Sequence, residues 1–182
     1  KGWDAYFPGG WGFDPIQKFD SLVDWTRHPD QELSIFSGIA TYKKTFRIAS
    51  EDLGKVLPGI QADNLGKNRS WILDLGQVGE VVRVYLNGQE VITRVFPPYK
   101  IDIGNFLRAG ENYLVIEVAN TWLNQLIGEK DKPFDEQRTR SNVGRGSKED
   151  ARRMWTDYEP QPSGLIGPVR IIQKQNIIIE FQ

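Results

Sequence analysis

The chain has 182 residues, no cysteine, one histidine, and 23 basic against 24 acidic residues, for a formal net charge of -1. That balance supplies no global field to draw it to nucleic acid or an anionic membrane, and the missing cysteines exclude disulfides, thiolate metal sites and a cysteine nucleophile. A chain of this length buries roughly 70% of the surface its unfolded form exposes, so one domain spanning the whole chain is expected, and an aromatic share of 12% suits strands and flat binding faces.

In chain order, Lys1-Gly2-Trp3 has neither an initiator Met nor a signal-peptide pattern and reads as a cut inside a longer chain. No apolar run approaches the ~20 residues of a membrane helix. The first clear strand pattern is Ile39 to Ile48, with Ala40, Tyr42, Phe46 and Ile48 on one side. Ser50-Glu-Asp-Leu53 joins a capping residue to acids in the first turn and predicts a short helical turn. Trp71 to Leu75 reads as a second half-buried strand. Val81 to Leu86 and Gln89 to Val95 flank Asn87-Gly88, the strongest local hairpin signal, because both central residues of a type I′ turn need positive φ. Val82, Val84 and Leu86 share one face, and Arg83 and Tyr85 the other. Tyr99 to Ile103 and Tyr113 to Ala119 follow, separated by turns at Gly104-Asn105 and Ala109 to Asn112; Pro168 to Lys174 and Asn176 to Gln182 close the chain. About eight short strands with turn signals between them predict an all-β fold, a β-sandwich of jelly-roll type. Residues 123–162 break the pattern as one long irregular excursion, expected to carry a short helix near Ser147 to Trp155.

His28, in Arg27-His-Pro-Asp30, reads as a surface turn, since nothing near it offers a strained nucleophile. The excursion holds Glu129, Asp131, Asp135, Glu136, Glu149, Asp150, Asp157 and Glu159. Two carboxylates about 5–9 Å apart could run glycoside hydrolysis, but sequence brings no two of these together, and no catalytic residue is assigned. Arg138 to Lys148 is basic yet flanked by acids, which suits a solvated loop or a domain-facing patch better than a nucleic-acid stripe. Gly76-Gln-Val-Gly79 and Gly144-Arg-Gly-Ser-Lys148 lack the spacing of a dinucleotide or phosphate loop, so no cofactor is implied. A pyranose stacks an apolar face on Trp or Tyr and offers hydroxyls to Asn, Asp and Arg. Trp122, Asn124, Arg153, Trp155 and Tyr158 are such residues, on the excursion and at its root. Against this stands a bland reading in which Trp122 anchors the excursion and Asn124 ties its backbone, leaving Arg153, Trp155 and Tyr158 as the sugar candidates.

Tyr42-Lys-Lys-Thr-Phe46, Asp74 to Val91, Tyr99 to Val118 and Ser163-Gly-Leu-Ile-Gly-Pro-Val-Arg-Ile171 together resemble the sugar-binding-type jelly roll of glycoside hydrolase family 2, a galactose-binding-like β-sandwich. Phe19 to Trp25, Phe36 to Phe46, Asn120 to Gly128 and Ser163 to Val169 resemble the C-terminal domain of family 106, the α-L-rhamnosidases. The likeness covers most of residues 19–173 and leaves 129–162 unmatched. In these families the catalytic acids sit in a separate barrel-type domain, so the resemblance implies a non-catalytic accessory domain at the C-terminal end of a larger hydrolase acting on plant-type polysaccharide. Its partner would be the catalytic domain of the same chain, with carbohydrate as a further contact. It also implies a periplasmic, extracellular or cell-surface location in a bacterium, and relatives with structural calcium held by Asp and backbone oxygens. An autonomous carbohydrate-binding module using the 120–160 region and a free-standing hydrolase are the competing readings.

Overall fold

Two-residue alternation dictates most of the architecture seen in the computed structural model, which describes residues 2–54, 69–133, 135–139 and 158–175. Eleven strands occur among the described residues: β1 (Trp3–Tyr6), β2 (Ile16–Phe19), β3 (Ile39–Ile48), β4 (Arg69–Asp74), β5 (Gln77–Gly79), β6 (Val81–Leu86), β7 (Gln89–Arg94), β8 (Lys100–Asp102), β9 (Gly110–Ala119), β10 (Gly164–Gly167) and β11 (Arg170–Gln175). The short helices are α1 (Gln31–Ser34), α2 (Ser50–Gly54) and α3 (Leu123–Glu129).

One antiparallel sheet runs β2-β1-β3-β9-β6-β7; facing it are a three-stranded sheet, β11-β4-β8, and a β10-β5 pair. The register places Ala40 beside Val118 and Val82, and Tyr42 beside Ile116 and Val84. These six side chains form one fully buried layer. Leu73, Leu75, Val78, Ile101, Ile103 and Leu165 supply the opposing layer, as expected of a sandwich whose inner faces alternate with solvent-facing residues. The fold is therefore the predicted all-β sandwich.

Asn87 and Gly88 take φ of 55° and 83°, the left-handed pair that the hairpin between β6 and β7 requires. Pairing then shifts by one residue between Val84 and Tyr85, so Val91 bulges and the end of β7 is re-aimed. The helical turn expected at Ser50 is present as α2. The excursion does carry a short helix, but at its root, as α3. Ser147 to Trp155, where the helix was expected, and the closing strand expected at Asn176 to Gln182 lie outside the described residues.

Candidate functional site

The excursion leaves the sheet where β9 ends, and its two ends are stitched together at that point. Asn120 accepts from Gly38 N–H through Oδ1 at 2.8 Å, and its Nδ2 donates to Phe36 O at 2.8 Å and Ser163 Oγ at 3.2 Å. Asn124, on the first turn of α3 and buried, donates from Nδ2 to Gln161 O and Ser163 Oγ, both at 2.8 Å, while its Oδ1 accepts from Gln161 N–H at 2.8 Å. Ser163 N–H in turn donates to Asp24 Oδ1 at 3.0 Å, and Ser163 O accepts from Trp25 N–H at 3.0 Å. Four stretches, at residues 24–25, 36–38, 120–124 and 161–163, thus share one network, and Asn124 is the tie that the bland reading assigned to it.

Behind the network lies an aromatic plug. Trp25 and Phe36 are fully buried, and Phe7, Phe13 and Trp11 join them in edge-on contacts with centroids 4.8 to 5.9 Å apart. Trp25 Nε1 donates to Tyr42 OH at 2.7 Å, and the same oxygen accepts from Leu165 N–H at 3.3 Å. Burial pushes the Tyr42 phenol up to about 12, against the opposing pull of those two donors. Gly164 lies flat against this tryptophan: its φ is +89° and a Cβ there would meet Trp25 Nε1 at 2.3 Å. The end of the sandwich is therefore plugged by Trp25. Trp122, expected to anchor the excursion, is instead 59% exposed, because its position just before α3 turns the indole outward.

Of the carboxylates on the described part of the excursion, Glu129 is engaged in structure. Glu129 is buried; its Oε2 accepts from Arg138 N–H at 2.8 Å and Thr139 N–H at 3.2 Å. Its Oε1 lies 3.5 Å from Lys132 Nζ, which also reaches Glu32 Oε1 at 3.1 Å. Arg138 donates to Glu32 Oε2 at 3.0 Å and to Trp11 O at 2.9 Å, with its guanidinium 5.1 Å from the Trp11 ring centre. Glu129 and Glu32 are thus each paired with a base, which fastens Glu129, Lys132 and Arg138 to α1 and the N-terminal hairpin. Among the described residues no three Asp, Glu, His or Cys side chains gather into a group that could hold a metal ion. His28 sits in the expected turn, its Nδ1 accepting from Asp30 N–H at 3.1 Å.

Of the five sugar candidates, Asn124 is buried in the network, while Trp122 and Tyr158 are exposed large aromatics at its margin. Arg153 and Trp155 lie outside the described residues.

Sequence reasoning missed the apolar character of this end of the sheet. Ile39, Ala119 and Val81 are cross-strand partners on the outer face, and Val95 follows Arg94, the partner of Val82, in the same row. Ile39 and Val95 are 55% and 50% exposed, Phe96 beside them is 77% exposed, and Ile16 is exposed on the neighbouring row, paired with Tyr6. The next row inward, Thr41, Glu117, Arg83 and Thr93, is polar, with Arg83 3.7 Å from Glu117 and donating to Thr93 Oγ1 at 3.2 Å.

A family model described as "Glycosyl hydrolase 2 galactose-binding domain-like" matches residues 34–169. A protein of Formosa agariphila named "Putative beta-glucuronidase" is 31% identical over 193 residues, spanning 98% of this chain and 15% of its own length. The solved structure of a rhamnosidase from Novosphingobium sp. PP1Y superposes with a TM-score of 0.73 at 35% identity, covering 95% of this chain and 14% of that one. The chain thus spans about one-seventh of the length of each of these two proteins. No described helix is long and apolar enough to cross a membrane.

Proposed function

Because the chain belongs to the glycosyl hydrolase 2 galactose-binding domain-like family, we propose that it is a non-catalytic accessory β-sandwich domain of a larger, exported glycoside hydrolase, supporting the catalytic domain of the same polypeptide. The observation that carries this reading is the gathering of Ile39, Val95, Phe96 and Trp122, each at least half exposed, at one end of the six-stranded sheet. Exposed apolar patches rimmed by polar residues mark protein contact sites. The neighbouring ion-paired row would stay in water or form the rim of the contact. Trp122 and Tyr158, with Arg153 and Trp155, are the residues through which such a domain would touch carbohydrate in the adjoining cleft.

The test has two arms. The chain alone, offered aryl glycosides, turns over none; hydrolysis abolished by one Asp or Glu substitution would overturn the non-catalytic reading. In the full-length polypeptide, the Ile39→Lys, Val95→Lys double variant uncouples this domain, so that one cooperative thermal transition splits into two, while the same variant of the chain alone keeps its melting temperature. An unsplit transition would remove the docking role.

A further inference from the structure

The strongest turn signal in the sequence is also its most reactive dipeptide. Asn87-Gly88 is the single Asn-Gly pair in the chain, and glycine, having no side chain to shield its backbone nitrogen, leaves that nitrogen free to attack the neighbouring asparagine carboxamide. In the hairpin the glycine side of this reaction is open: a Cβ at Gly88 would meet nothing within 4 Å, and Gly88 N–H donates to no described residue. The asparagine side is closed.

The closure is built from a second asparagine. Asn112 is fully buried and its amide orientation is fixed, because Nδ2 donates to Arg108 O at 2.8 Å and Gly110 O at 3.1 Å while Oδ1 accepts from Arg108 N–H at 3.0 Å. The same Oδ1 accepts from Asn87 Nδ2 at 2.9 Å, and Asn87 Nδ2 also donates to Phe106 O at 2.8 Å. Asn87 Oδ1 accepts from Tyr113 N–H at 3.0 Å, and Asn87 N–H donates to Tyr113 O at 2.8 Å. These bonds join the hairpin to β9 and to the turn at Gly104–Phe106. The Tyr113 contact alone would polarise the carbonyl toward attack. The two bonds from Nδ2 oppose it, since attack makes Cγ tetrahedral and swings Nδ2 out of the plane in which both acceptors hold it. Losing them leaves those acceptors unpaired, a cost that adds to the barrier.

We propose that Asn87 is a gated deamidation site, inert while the β6–β7 hairpin is docked on β9 and reactive once it opens, and that its product bars the hairpin from closing again. The step balances without an oxidant or cofactor. The Gly88 nitrogen sheds its proton to solvent and attacks Asn87 Cγ. The Cγ–Nδ2 bond breaks, Nδ2 leaves as ammonia with that proton taken up again, and one water opens the resulting succinimide to aspartate or isoaspartate. Aspartate sets a carboxylate oxygen against Phe106 O and Asn112 Oδ1, two acceptors with no proton to offer. Isoaspartate adds a backbone methylene to a turn that fits two residues with φ of 55° and 83°. One opening long enough to react thus becomes permanent.

The test measures two rates on the same chain in mildly alkaline buffer, conversion of Asn87 by peptide mass spectrometry and amide exchange of Tyr113 by NMR. Conversion in the folded chain is at least about 100-fold slower than in the chain unfolded by urea, a factor equivalent to an opening free energy of about 2.7 kcal/mol. That factor matches the protection of the Tyr113 amide, because both report the same opening. Equal rates in the folded and unfolded chain, or a slowing more than about tenfold away from that protection, would overturn the gate. After long incubation in urea, the refolded fraction of the wild-type chain falls in step with conversion, whereas Asn87→Gly, which tolerates positive φ and has no carboxamide to lose, refolds to its starting yield. Asn87→Asp supplies one product directly and lowers the ratio of folded to unfolded chain about tenfold. An aspartate variant as stable as wild type, or converted chain that refolds in full, would overturn the bar to closing.

Discussion

Replacing Asn124 tests whether the end of the sandwich is held by one side chain. Its amide cannot be flipped, because Gln161 N–H can only donate and meets Oδ1 at 2.8 Å, leaving Nδ2 to face Gln161 O and Ser163 Oγ. Asn124→Ala removes all three bonds. Ser163 Oγ keeps Asn120 Nδ2, and Gln161 O keeps the Ser163 hydroxyl at 3.0 Å, but Gln161 N–H is orphaned. A buried unpaired donor costs about 1–3 kcal/mol; Gln161 is exposed and water partly replaces the partner, so about 2 kcal/mol is expected, or a fall of roughly 4–8 °C in melting temperature for a domain of this size. Asn124→Asp is the sharper variant. It puts a carboxylate oxygen where Nδ2 stood, against the Gln161 carbonyl, and it buries a charge, so at neutral pH it destabilises more than alanine despite equal shape. Burial and a facing acceptor hold that carboxyl above the ordinary Asp value in the folded state, so the native form takes up protons more readily. The penalty therefore shrinks as pH falls through the folded-state value, because the protonated group regains a donor. Thermal and urea unfolding at pH 7 and pH 4.5 separate the cases. An aspartate variant as stable as wild type at pH 7 would refute the network as drawn.

Two further substitutions probe the buried polar groups. Burial pushes the Tyr42 phenol up from 10.0 to about 12, so above pH 10 the unfolded state loses the proton first, and stability falls by up to about 1.4 kcal/mol per pH unit until the folded group also titrates. Tyr42→Phe leaves Trp25 Nε1 and Leu165 N–H unpaired and is less stable than wild type by about 1–3 kcal/mol below pH 10; urea midpoints at pH 9, 10 and 11 should show the gap narrowing as pH rises, and a constant gap would contradict the assignment. Gln125 is fully buried, and neither of its side-chain polar atoms has a partner among the described residues, so Gln125→Met, which keeps volume and removes the polar atoms, should raise stability by about 1 kcal/mol in the same denaturation assay; a loss of stability would mean that the amide is satisfied by a bound water.

What the sequence disclosed follows the range of each interaction. The strand Ile39–Ile48 has the predicted limits, and the Asn87-Gly88 hairpin has the predicted turn, because alternation and φ preference are local. Trp3–Tyr6 and Ile16–Phe19 went unread since four residues hold barely two periods, and Gln77–Gly79 and Gly164–Gly167 because glycines interrupt the pattern. Among the tryptophans, sequence alone gave no way to choose the plug. Trp25 is marked out only by Gly164 lying against it and Tyr42 receiving its N–H, contacts 139 and 17 residues away. The same holds for the tie between Asn124 and Gln161.

The outer face of the large sheet argues for a partner independently of any likeness. A solvent-facing row of an antiparallel sheet is free to be polar, as Thr41, Glu117, Arg83 and Thr93 are, since cross-strand ion pairs and hydroxyls stabilise the pairing without need of a core. The adjacent row of Ile39, Ala119, Val81 and Val95 contributes nothing to the buried core, yet it is wholly aliphatic and leads into Phe96 and Trp122. The chain's own folding does not call for this arrangement, and in water it costs solubility. Covering it removes that cost and recovers about 25 cal/mol for each Å² of apolar surface taken from water. A docked domain of the kind proposed above would cover this row at the end of the sheet where the excursion begins, and would leave the ion-paired row at its rim.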